Sequence, residues 1–120
     1  MGRGRIAEDA AARWLERRGY RIVERNHRNR AGEIDLVAWQ GETLCFVEVK
    51  ARAVTVYGPA SAAVNWEKRR RLGRAAALYL ALRGGPAPEC RFDVLGVEAQ
   101  EDAGERAWRF SLITDAFRLE

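Results

Sequence analysis

The sequence has one histidine, two cysteines, three prolines and two lysines in 120 residues. Each shortage excludes something. Two cysteines cannot build a disulfide framework, and no feature points to secretion, so a reducing, cytoplasmic compartment is expected. One histidine with two cysteines does not make a zinc site, and a single histidine cannot fill several catalytic roles. No Gly-x-Ser-x-Gly elbow occurs, and no glycine-rich phosphate loop follows a strand. The longest apolar run, Ala75 to Leu82, is 8 residues, too short for a membrane span. Behind Met1-Gly2-Arg3-Gly4-Arg5 there is no apolar stretch, so no secretory signal is expected. Ile6 stands where a myristoylation motif needs Ser or Thr. No internal repeat or low-complexity linker is visible.

What is present is an ordinary globular mix, 48% hydrophobic and 32% charged. A chain of this length buries about two-thirds of its unfolded surface, enough for one domain over residues 1–120. The net charge of +4 is unevenly placed. Residues 1–30 carry nine Arg against four acids, and residues 51–83 carry six Arg and one Lys against Glu67 alone. Between them, residues 31–50 hold four acids and only Lys50, and residues 84–120 hold eight acids and four Arg. Two basic segments flanking a short acidic one suit a polyanion-binding protein with a cation site. Arg coating two helices would give the same composition. Of 21 basic residues 19 are Arg, so the two retained lysines, Lys50 and Lys68, stand out. Lysine is a compact cation whose pKa can shift, and arginine is not.

Periodicity predicts the order α-β-β-β-α-β-β and a mixed sheet flanked by helices. A helix is expected over 3–18, stopped by Gly19. Strands are expected over 20–26, 33–40 and 43–51, with a turn at 29–32 and a tight hairpin at Gly41-Glu42. Tyr20, Ile22 and Glu24 fall on one face of the first strand. A loop spans 53–60, and a long helix spans 60–83. Its buried stripe is expected to be Val64, Leu72, Ala75, Ala76, Tyr79 and Leu82. Strands at 91–97 and 107–113 follow, with Asp115 capping a final turn. His27 reads as a surface strand residue, and Cys45 and Cys90 read as small buried hydrophobes.

The chemistry concentrates in Gly32-Glu33-Ile34-Asp35-Leu36-Val37 and Phe46-Val47-Glu48-Val49-Lys50. On the third strand Glu48 and Lys50 share a face with Phe46, interrupting an otherwise apolar strand. Buried charges are expensive unless paired or bound to a metal. The short hairpin brings Asp35 near Glu48, and two close carboxylates repel unless protonated or bridged by a cation. Mg²⁺ takes one or two carboxylates and keeps several waters, so the pair suits it. The alternative is that Asp35 and Glu48 simply pair with Lys50 and Arg52.

This pattern resembles the core of the PD-(D/E)xK nucleases, which have a restriction-endonuclease-like fold. More closely, the chain is similar to the YraN family of predicted endonucleases, itself similar to archaeal Holliday-junction resolvases. The resemblance rests on Ala7-Glu8 with Ala11-Ala12, Gly19-Tyr20, Arg25-Asn26, the two segments above with Ala51-Arg52, Tyr57-Gly58, Ala63-Val64 with Lys68, and Arg91-Phe92-Asp93-Val94. Ile34 replaces the proline of the PD half. The resemblance implies a metal-dependent endonuclease acting on DNA, with branched or junction DNA among its substrates. Asp35, Glu48 and the Val49 carbonyl would hold Mg²⁺ or Mn²⁺. Lys50 would orient the hydrolytic water and stabilise the developing phosphorane charge. Glu8 would bind water or a second metal, although acids near a helix N-terminus also favour the helix dipole. Glu33 is either a second acid of the site or a surface residue. Lys68 and Arg71, one turn apart, would reach phosphates, with Arg52 and Tyr57-Gly58 as further contacts. Resolvase-like nucleases are often homodimers, which leaves a homodimer open here. The alternative function is a non-catalytic nucleic-acid-binding or complex-assembly protein on the same fold.

Overall fold

Ala7, Ala11 and Leu15 recur at four-residue intervals and form the buried stripe of α1 (Arg3–Arg17). Gly19 closes that helix at a positive φ of 92°, and the Tyr20 N–H returns to the Leu15 carbonyl at 3.0 Å. The chain continues as β1 (Arg21–Asn29), β2 (Gly32–Gln40), β3 (Thr43–Arg52), α2 (Trp66–Arg83), β4 (Glu89–Asp102) and β5 (Glu105–Phe117). This computed structural model describes residues 3–52, 66–102 and 105–118. The expected loop at 53–60, the first residues of the long helix and Val64 lie outside the described residues. Among the described residues no helix is long and apolar enough to cross a membrane.

The strands form one five-stranded sheet in the order β1-β2-β3-β4-β5. Neighbours are antiparallel except β3 and β4, which are parallel and bracket α2 in the sequence, as a crossover requires. The fold is the expected mixed α/β sheet with two helices. α1 packs on one face against Leu36, Ala38, Cys45, Val47, Leu95 and Val97. α2 covers the other face through Ala75, Ala76 and Tyr79, which meet Ile34, Val37, Leu44 and Phe46.

Several local expectations are corrected. A register shift between Ile22 and Glu24 breaks the alternation of β1. Tyr20 and Ile22 stay with the α1 cluster, while Glu24 instead pairs with His27, whose ring stands edge-on to Tyr79 of α2. His27 is therefore half-buried rather than a surface residue. Leu82 is 69% exposed, because the end of α2 covers the sheet through Leu80 and through Arg83 over the Trp39 ring instead. Cys90 is exposed, whereas Cys45 is buried. Both final strands are longer than the apolar pattern indicates, because polar residues also pair in their ladder. Asp115 lies within β5 at a φ of 51° and does not cap a turn.

Asp93 explains that distortion. Its side chain is fully buried, yet both oxygens are occupied. Arg91 donates to it through Nε at 2.8 Å and Nη2 at 2.9 Å, Tyr20 through its hydroxyl at 3.3 Å, and the Asp115 N–H at 2.9 Å. The β4–β5 register shifts between Phe92 and Val94, so the carboxylate staples a bulge. Removing one partner of a buried pair strands the other. Asp93→Ala is expected to lower stability by about 3 kcal/mol in urea unfolding. An unchanged midpoint would show that the bulge does not depend on this carboxylate.

Candidate functional site

The β2–β3 ladder starts at the hairpin, where Gln40 faces Thr43, and ends at Leu36 opposite Val47. Both strands continue past that point, but not with each other. β2 goes on pairing with β1 as far as Gly32, and β3 goes on pairing with β4 as far as Arg52. The sheet forks there. Asp35 and Glu48 are the first residues beyond the fork, one on each arm. Ile34 joins the α2-side cluster of Val37, so strict alternation also ends at Asp35. The Val49 N–H, with no β2 carbonyl opposite it in the ladder, donates to Asp35 Oδ2 at 2.8 Å. A side chain thus replaces a missing ladder bond, which satisfies a backbone donor that would otherwise be costly to bury.

α2 closes the fork from above. Glu48 is 5% exposed, and its Oε1 lies 2.7 Å from Lys68 Nζ and 3.6 Å from Lys50 Nζ. Asp35, Glu48 and Lys68 line a depression of about 590 Å³, with Glu33, Arg28 and Arg71 on its rim. Burial, then the neighbouring Glu48, push the Asp35 carboxyl up to about 7, against the pull of the Val49 N–H. Lys50 is shifted down by burial and by the nearby Lys68, with Glu48 opposing. Burial also disfavours the Lys68 charge, but its contacts with Glu48 outweigh that and raise its pKa.

Of the residues singled out in the sequence, Asp35, Glu48, Lys50 and Lys68 converge. Arg71 lines the same depression and pairs with Glu67 at 3.6 Å. Glu33 sits at the rim, exposed, 3.6 Å from Arg28. Glu8 lies in an adjoining depression with Asp9, Arg25 and Asn26, and Arg28 lines both. There Glu8 Oε1 accepts from Asn26 Nδ2 at 2.6 Å and from Arg25 Nη2 at 3.3 Å, and Arg25 also pairs with Asp9. Glu8 is close enough to add to the upward push on Asp35. The side chain of Arg52, with Tyr57 and Gly58, lies outside the described residues.

Lys68 is the residue whose place the sequence hid. Its position in an Arg-rich run reads as a phosphate contact on an open face. It lies instead on the packing stripe of α2, one turn before Leu72, and so points at the sheet. That spacing was the available signal.

Among the described residues no group of three or more His, Cys, Asp or Glu side chains forms a metal cage. The donors present suit a cation that asks for less. Asp35 and Glu48 offer two carboxylates at the wall of an open depression, and two carboxylates that leave room for waters match Mg²⁺ or Mn²⁺ better than Zn²⁺.

The shift of Asp35 gives a stability test. An unfolded Asp titrates near about 4. In the fold Asp35 titrates at about 7, so between these values the folded state keeps a proton the unfolded state has released. Its favourable contribution is full in acid and is lost as pH rises through 7. Asn keeps an acceptor for the Val49 N–H and carries no charge. In a metal chelator, Asp35→Asn is expected to melt about 5 °C above the wild type at pH 8, with the gap closing towards pH 4. A lower melting temperature at pH 8 would contradict this.

The profile of the Uncharacterised protein family UPF0102 matches residues 7–97. A UPF0102 protein of Symbiobacterium thermophilum is 50% identical over 114 residues, covering 95% of this chain and 94% of that protein. A UPF0102 protein of Moorella thermoacetica is 47% identical over 115 residues, covering 96% and 94%. One of Chlorobium phaeobacteroides is 43% identical over 116 residues, covering 95% and 92%. The chain therefore belongs to the Uncharacterised protein family UPF0102.

Proposed function

We propose that this protein is a metal-dependent endonuclease that hydrolyses phosphodiester bonds of DNA, with branched or junction DNA as the substrates to try first. One observation carries the reading: Asp35 and Glu48 meet at a fork in the sheet, at the wall of an open depression and beside two lysines. A carboxylate pair of this kind is tolerated when a cation bridges it. Asp35 and Glu48 would hold Mg²⁺ or Mn²⁺, with the Val49 carbonyl as the third protein ligand. When bound, the ion would act as Lewis acid and water activator.

The chain's own residues supply the rest. Lys50 stays on the strand beside Glu48, and its lowered pKa brings it nearer to exchanging a proton with an attacking water. Arg28 and Arg71 stand on the rim with exposed guanidinium groups, where they would bind backbone phosphates on either side of the scissile one. Glu8, in the next depression, is placed to act on water or a second ion only if Asn26 and Arg25 release it.

A second reading has one observation in its favour. Lys68 Nζ lies 2.7 Å from Glu48 Oε1, so the protein itself supplies a positive partner for that carboxylate. The same fold would then bind nucleic acid without cutting it.

The test is incubation of purified protein with labelled linear, flapped and four-way-junction DNA in Mg²⁺, in Mn²⁺ and in chelator. Metal-dependent products are expected from the wild type. Glu48→Gln and Lys50→Ala should each lower the rate at least about 10²-fold while keeping the fold by circular dichroism. Cleavage undiminished in these variants would remove the mechanism. Salt-dependent DNA binding with no product in any metal would favour the second reading.

A further inference from the structure

Lys68 reaches the site in a way that Lys50 does not. Lys50 is two residues from Glu48 on the same strand, so the two are neighbours whenever β3 forms. Lys68 arrives from α2, across the interface between helix and sheet. It extends the helix stripe formed by Leu72, Ala75, Ala76 and Tyr79, so the docking of that stripe aims the ammonium at the fork. There it takes the shorter contact, 2.7 Å to Glu48 Oε1 against 3.6 Å for Lys50. Its side chain is also the more exposed of the two, 39% against 21%. A flexible stem at the wall of an open depression has somewhere to go.

A nearly buried carboxylate needs a positive partner. A divalent ion bound to this carboxylate would crowd the ammonium held at Oε1, and the two cations would repel strongly at such separation. We propose that Lys68 is the resident counter-ion of Glu48: it holds the carboxylate in the fork and must be displaced before a divalent cation can bind there. Lys68 is then a positioning residue that sets metal affinity, and its displaced ammonium remains at the wall where a phosphate would lie. This rests on the metal site proposed above, and adds to it that the metal-free protein is held by its own lysine.

The composition makes the test direct. Lys50 and Lys68 are the only lysines in the chain. Protein labelled with ¹³C-lysine therefore gives two side-chain ε-methylene signals, assigned by Lys68→Arg. On titration with Mg²⁺, without DNA, the Lys68 signal is expected to move to the position of a free lysine as the site fills. In parallel, calorimetric titration with Mn²⁺ compares wild type, Lys68→Gln, Glu48→Gln and Arg70→Gln. Arg70 is an exposed cation on the same helix and controls for overall charge. Lys68→Gln should bind Mn²⁺ about tenfold more tightly than the wild type, Arg70→Gln within about twofold of it, and Glu48→Gln not measurably. Without metal Lys68→Gln should melt below the wild type, and saturating Mn²⁺ should close that gap. If Lys68→Gln does not fold, the lysine signal of the wild type decides alone. Equal affinities with an unmoved Lys68 signal would overturn this inference and leave the metal site standing. Absence of binding in wild type and Lys68→Gln alike would overturn the metal site, and the inference with it.

Discussion

The parting of β2 from β3 beyond Leu36 and Val47 is the constraint on which the rest of the molecule depends. Had the ladder continued, Asp35 and Glu48 would face each other across a closed sheet, with no room for a ligand between the strands. Because it stops, each arm keeps its outer neighbour and presents an acid at the mouth of the fork. The hydrogen bond from the Val49 N–H to Asp35 makes the break tolerable and fixes the Asp35 carboxylate at the same time. Local structure and site geometry are therefore one feature.

Among the described residues two carboxylates of the sheet are nearly or fully buried, Asp93 and Glu48, and they show how differently such groups can be used. Asp93 lies on the α1 side, and four donors occupy both of its oxygens. It is a finished structural network, with Arg91 also tied to Gln40 and Tyr20. Glu48 lies on the α2 side, pairs with the ammonium groups of Lys50 and Lys68, and lines an open depression. At the wall of an open depression a carboxylate can meet a ligand as well as its lysines. That difference sets a closed structural network apart from a carboxylate open to the depression.

Much of this was legible in the chain. The seven elements follow from apolar periodicity, and the interruption of an apolar strand by Glu48 and Lys50 marks the site. The hairpin at Gly41-Glu42 brings Asp35 towards Glu48, because a two-residue turn leaves little freedom of register. What stayed hidden depends on departures from regularity. The bulge after Ile22 moves Glu24 off the α1 face, and a second break at Asn26, with a φ of 53°, brings His27 to Tyr79 of α2. The reach of Lys68 depends on how α2 docks, which its Arg-rich neighbourhood masks. Asp93 reads as an ordinary strand acid until tertiary packing brings Tyr20 and the Asp115 N–H to it. The fork itself lies in the pairing of strands and not in any one of them.

The central claim is that the acids of the fork form a site for a divalent cation. Mn²⁺ binding read by electron paramagnetic resonance at neutral pH, with no DNA present, tests it most directly. One ion per chain in the wild type, lost in both Asp35→Asn and Glu48→Gln while both variants stay folded, is the result predicted here. Unaltered binding in the two folded variants, or no binding by the wild type, would contradict it.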